Sequence, residues 1–217
     1  MNSEVRKGLS IERLTSYVRA AGGDEDLSAA LYAWNIRASG ALFEVLSGME
    51  IILRNSVHQR FTEKYAARGI WFDAISLDTK AAEVLRVARE RSRNNSRVSE
   101  QPGKVVAELS FGFWRYLFSR RYQATVWPIL QPIFRNQDGT RPPRVAVDRI
   151  VEAIHTLRNR IAHHEPIFRR NLLRDHQDIL QLVGWLNPSA ANWLSELSRV
   201  SRVLADKPAG IIQAPVT

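Results

Sequence analysis

VAVDRIVEAIHTLRNRIAH, residues 145–163, decides the fold class. Val147, Ile150, Val151, Ile154, Leu157 and Ile161 recur at steps of one, three and four, which places them on one face of an α-helix. Asp148, Glu152, His155, Asn159 and His163 recur at steps of three and four and form a second, polar stripe. Arg158 borders that stripe, His164 ends it, and Glu165-Pro166 closes the segment. A solvated helix face ordinarily carries Lys, Glu and Gln. Two imidazoles, an amide and a flanking guanidinium are a different selection.

Outward from this segment the helical period persists. Ser10 caps a helix containing Ile11, Leu14, Tyr17 and Val18, and Gly22-Gly23 stops it. Asp24 or Asp26 caps the next, which runs without proline from Leu27 to about Ala67, with an expected break near Ser39-Gly40. A loop with Trp71 and Phe72 follows, then a helix capped by Asp78. RERSRNNSRVSEQPG (89–103) reads as a linker. One helix is expected through Val105–Leu117 and another through Tyr122 and Val126, then a turn over Asn136–Pro143. Helices over 172–186 and 190–204 flank Asn187-Pro188. Strand alternation and solenoid repeats are absent from the pattern. The expectation is an all-α bundle of about seven to nine helices. A single domain over 1–205 and a flexible tail over 206–217 are expected.

At 217 residues, with 45% hydrophobic and 24% charged residues, the chain has globular proportions. It contains no cysteine, which excludes disulfides, thiolate metal sites and a cysteine nucleophile. LFEVLSGMEIIL (42–53), with two carboxylates, falls short of a membrane span. MNSEVRKG lacks the apolar core of a signal peptide, so a cytoplasmic, membrane-free protein is expected. Lys+Arg number 31 against 22 Asp+Glu, a net charge of +9, and only five of the cations are Lys. Genomic base composition explains an Arg excess; so does a polyanionic partner, since phosphate contact is a common use of arginine.

Ser47, Glu50, Arg54 and His58 line up at steps of three and four, with Glu50 and Arg54 spaced as an i,i+4 ion pair. They are read either as chemistry or as a network tying two bundle helices together. Neither stripe has the His spacing of a metal site, and neither a nucleophile elbow nor a phosphate-binding glycine loop is present, so no metal or cofactor is expected. Arg and His together suffice for metal-free phosphodiester cleavage: a permanent bidentate cation for the phosphoryl oxygens, and a proton carrier.

LRNRIAHHEP (157–166) resembles the Arg-x-x-x-x-His signature of the HEPN ribonuclease superfamily, and MEIILRN (49–55) and LSFGFW (109–114) resemble blocks of its Abi-like, abortive-infection branch (Abi_2-type). The resemblance implies a homodimeric HEPN bundle and a metal-independent endoribonuclease of a phage-defence or toxin–antitoxin system, restrained by an RNA or protein antitoxin. It implies Arg158 and His163 as the catalytic pair, with Asn159 orienting the imidazole or binding a phosphate oxygen. His164, Glu50, Arg54, Asn55, His58 and His155 are expected in support, and Arg160, Arg86, Arg89 and Arg93, with Arg91 and Arg97, along the RNA backbone. HEPN toxins silenced by a nucleotidyltransferase carry Tyr two places after the His; here Glu165 stands there. The alternative is a catalytically inactive HEPN domain that binds RNA or regulates.

Overall fold

The computed structural model describes residues 3–94 and 100–212, and every regular element among them is helical. Helix α1 (Ser3–Leu9) and α2 (Ile11–Ala20) form an N-terminal pair, with Ser10 capping α2 through a bond from Arg13 N–H to its hydroxyl. Gly22 and Gly23 turn the chain with positive φ. Asp24 then caps α3 (Glu25–Tyr65): its Oδ1 accepts from Leu27 N–H at 2.9 Å.

Helix α3 runs 41 residues without interruption. The break expected at Ser39-Gly40 does not occur, because Ala38, Ala41 and Leu42 are fully buried and hold the helix on both sides of it. Its other glycine has a packing reason: a Cβ on Gly48 would stand 2.6 Å from a methyl of Leu194, so any other residue there would force the Leu194 side chain to shift.

Twelve α-helices are present among the described residues, more than the seven to nine expected. The additions are α1, a one-turn helix at Trp71 and the division of two expected helices into two each. Trp71 and Phe72, expected in a loop, lie in α4 (Trp71–Ala74), both buried. Helix α5 (Thr79–Asn94) starts at Asp78, whose Oδ1 accepts from Ala81 N–H, and takes in the first part of the expected linker. The helix expected over Val105–Leu117 divides into α6 (Pro102–Glu108) and α7 (Phe111–Tyr116), with Leu109 and Ser110 in extended conformation between them. Around Tyr122 and Val126 there is only a 3-10 turn and α8 (Trp127–Leu130), since Pro128 and Pro132 start new turns.

Helix α9 (Arg144–Ala162) buries all six apolar residues of its expected face. Helix α10 (Leu172–Leu186) has the expected bounds; the last expected helix is two, α11 (Pro188–Leu197) and α12 (Val200–Ala205). Helices α2, α9, α10 and α12 all pack on α3 around one hydrophobic core. Residues 206–212 lie back on the bundle: Lys207 donates to the Phe168 carbonyl at 2.9 Å and Ile212 N–H to that of Ala20 at 2.8 Å. Residues 213–217 of the expected tail lie outside the described residues. No described helix is long and apolar enough to cross a membrane.

Asn35, buried on α3, accepts from the N–H groups of Ile167 and Phe168 at 2.9 and 3.2 Å and so fixes the chain leaving α9. Asn35→Ala strands both donors in the core, with an expected loss of about 3 kcal/mol. A lower urea midpoint at unchanged slope is the measurement; a midpoint equal to wild type contradicts it.

Candidate active site

Helix α9 carries the Arg158–His163 segment, and its rotation is set by the burial of Ile154, Leu157 and Ile161. That rotation turns Arg158 toward α3. Its Nε donates to Glu50 Oε1 at 3.0 Å, with about a third of the Arg and a quarter of the Glu side chain exposed. The expected Glu50–Arg54 pair is not made. The two Nη groups of Arg158 have no hydrogen bond to any described residue. Arg54 keeps its Nε buried without a partner, and Asn55 faces solvent one position beyond it.

One turn before Asn159, His155 receives the Asn159 amide: Nδ2 donates to Nε2 at 3.2 Å. An amide nitrogen only donates, so Nε2 is bare and the ring proton sits on Nδ1. Phe111 lies 5.8 Å from this imidazole, ring centre to ring centre, and the open side of Gly112 faces Nε2. The three blocks 49–55, 109–114 and 157–166 therefore meet around α9. One neighbour was not expected from the sequence: Arg115, immediately after the LSFGFW block, pairs with Glu152 of the polar stripe. Asp148, at the start of the stripe, is a scaffold residue that holds Arg144 at 2.7 Å, while Arg144 also donates to the Phe118 carbonyl.

His163 caps the C-terminus of α9. Its backbone N–H bonds to the Asn159 carbonyl at 2.9 Å, and its exposed imidazole makes no hydrogen bond to a described residue. His164 follows with φ +56° and an exposed ring. Arg158 and His163 are five residues apart, about 140° around the helix and ~7.5 Å along it, so they flank one end of α9 without touching.

The remaining expected residues stand apart. His58 accepts the Trp71 indole N–H on Nδ1 at 2.8 Å, a structural bond. Arg160 pairs with Glu165 at 3.3 Å. Arg86 is held by Glu83 and Glu90, Arg89 by Glu100 and Asp73, and Arg93 by Glu100, so these three cations of the expected phosphate track already hold carboxylates, whereas Arg91 is exposed and makes no ion pair with a described residue. Arg97 lies outside the described residues. Among the described residues no three of His, Asp and Glu are grouped to hold a metal ion.

Burial holds the imidazoles of His58, His155 and His176 below their usual pKa. At His155 the charges of Arg115 and Arg158 add to the lowering, against the opposite pull of Glu152 and Glu50. The native state therefore resists protons that the unfolded chain accepts below about pH 6.5. Stability is full above that pH and falls as pH drops through the window down to the lowered native values. The urea midpoint is expected to decline as the pH falls below about 6.5, and to decline less in His58→Gln, which keeps an acceptor for Trp71. An unaltered decline in that variant breaks the link.

No protein family model, no characterised protein and no solved structure matches this chain.

Proposed function

We propose that this chain is a metal-independent endoribonuclease of the HEPN type, related to the Abi-like proteins of bacterial phage defence and toxin–antitoxin systems. The observation that carries the reading is the state of Arg158: Glu50 orients its guanidinium through Nε and leaves both Nη groups available. That edge matches two oxygens of a phosphodiester in the bidentate geometry that distinguishes Arg from Lys.

In this reading the RNA 2′-oxygen attacks the adjacent 3′-phosphate, and the new P–O2′ bond closes a 2′,3′-cyclic phosphate as the P–O5′ bond breaks. The proton lost by the 2′-hydroxyl is matched by one delivered to the departing 5′-oxygen. Arg158 stabilises the charge that grows on the phosphoryl oxygens, and His163, open to solvent at the helix end, takes or relays the proton. Asn159, its Nδ2 engaged by His155, keeps its Oδ1 as an acceptor. The distance between Arg158 and His163 around the helix makes a thin site in one chain, which supports a homodimer with two 158–164 segments facing one cleft. An RNA or protein antitoxin is the proposed restraint, and the net charge of +9 suits an RNA.

One observation favours the second reading, a HEPN domain that binds RNA without cutting it: the Glu50 carboxylate cancels part of the Arg158 charge where the transition state needs it. The purified chain incubated with bulk RNA in EDTA separates the two. Cleavage with upstream fragments ending in a 2′,3′-cyclic phosphate or 3′-phosphate is expected. Arg158→Ala and His163→Ala each lower it by about 10²–10⁴-fold, and the double variant falls little further. Binding without cleavage installs the second reading, and 3′-hydroxyl ends overturn the 2′-hydroxyl attack.

Glu50→Ala frees Arg158 from its anchor. Because the pair is partly exposed, the stability cost is expected below about 1 kcal/mol. Activity is expected to fall about tenfold through lost orientation. A large drop in Tm at unchanged activity reassigns Glu50 to the scaffold.

A further inference from the structure

Among the described residues only two other than glycine adopt positive φ: Ser10 at +66° and His164 at +56°. They are 154 positions apart in sequence, yet they flank a single contact. The Nη1 of Arg13 donates to the His164 carbonyl at 2.5 Å.

Each end of this contact is built at a conformational cost. Ser10, with ψ 150°, occupies a region open almost only to glycine. In that conformation it joins α1 to α2 and accepts the Arg13 N–H on its hydroxyl, setting Arg13 in the first turn of α2. At the other end, α9 finishes in a left-handed closure. His164 N–H bonds to the Ile161 carbonyl at 3.0 Å, and Glu165 N–H to that of Arg160 at 2.8 Å. Glycine is the usual residue at the left-handed position of such a closure; here it is His164. An apolar contact commonly joins the residue after it to the last turn of the helix; here the Arg160–Glu165 ion pair joins the same two positions. The Arg13 guanidinium binds the carbonyl of the strained residue itself, adjacent to His163.

We propose that Arg13 is a positioning residue for His163: its bond to the His164 carbonyl holds the left-handed end of α9, and with it the direction in which the His163 imidazole leaves the helix. The catalytic part of this inference rests on the ribonuclease reading above; the mechanical part does not. The His164 imidazole makes no hydrogen bond to a described residue, so in this arrangement its backbone is what matters. The N-terminal helix pair thereby becomes part of the site, although it contributes no group to the chemistry. Displacing α2 would loosen the catalytic end of α9.

Two readouts on Arg13→Ala test this. Arg13 is solvent-exposed, so the variant is expected to fold with a Tm close to wild type. Amide exchange at His164 and Glu165 is expected to quicken about tenfold while Ile154, in mid-helix, is unchanged. In RNA cleavage, kcat is expected to fall about tenfold with KM within about twofold, the signature of misplacement rather than lost binding. Adding His164→Gly, which enters the left-handed conformation freely, is expected to restore both the protection and most of kcat. Wild-type exchange at His164 and Glu165 in Arg13→Ala overturns the clamp. So does a kcat loss that His164→Gly leaves unrepaired. If the wild-type chain cuts no RNA, the ribonuclease reading fails, and the exchange measurement alone decides the clamp.

Discussion

The burial of α3 is the constraint on which the other elements depend. Its 41 residues extend about 60 Å, and Trp34, Leu42, Leu46, Met49, Leu53 and Phe61 along it are essentially inaccessible to solvent. Among the described residues, the short helices that bury an apolar face do so against α3 or against a neighbour packed on it. Because Met49 and Leu53 lock the rotation of α3 and Leu157 locks that of α9, Glu50 and Arg158 come together as a consequence. A partly exposed ion pair contributes little net stability. The core places the pair, and the pair orients a guanidinium.

The parts of the fold readable in sequence are those with a local physical signal. Ser10 and Asp78, and Asp24 as one of two candidates beside Asp26, are identifiable as caps because a short oxygen-bearing side chain before a periodic run satisfies an orphan N–H wherever the helix lies. The α9 face was legible because six apolar residues share one period. What failed were elements that tertiary contacts decide. Val105 to Leu117 reads as one helix, but Leu109 and Ser110 extend so that both α6 and α7 bury their apolar residues. Ser39-Gly40 reads as a break, but a helix packed on both sides of it tolerates a glycine costing only about 1 kcal/mol.

The candidate site shows the same division. Arg158, Asn159 and His163 could be singled out because a polar stripe and a motif lie within one helix. The i,i+4 spacing pairs Glu50 with Arg54 on paper, but such a pair is worth only a few tenths of a kcal/mol, and Glu50 instead meets Arg158 from another helix. His58 shares a suggestive stripe, but its Nδ1 is engaged by the indole of Trp71, a residue whose sequence reads as loop. Arg13 carried no signal at all: nothing in α2 announces a contact 151 residues away. Burial then sorts the five imidazoles. His58, His155 and His176 are partly or fully enclosed and hydrogen-bonded, whereas His163 and His164 stand in solvent, where a polymeric substrate can reach them.

The arginine excess also acquires a structural component that neither base composition nor a polyanionic partner supplies. Arg89 forks onto Glu100, Arg170 onto Asp175 and Arg199 onto Glu44, each through two nitrogens. Arg60 and Arg144 reach backbone carbonyls left open at Ile129 and Phe118, as Arg13 does at His164. A lysine ammonium has the charge for these positions but not the planar fork. Part of the basic composition is thus spent within the molecule, on carboxylates and on backbone carbonyls near helix ends. Net charge alone is therefore a poor guide to where a phosphate would sit. The more discriminating feature is a guanidinium held by one edge and open on the other, and Arg158 is such a group at the end of the helix that also presents His163.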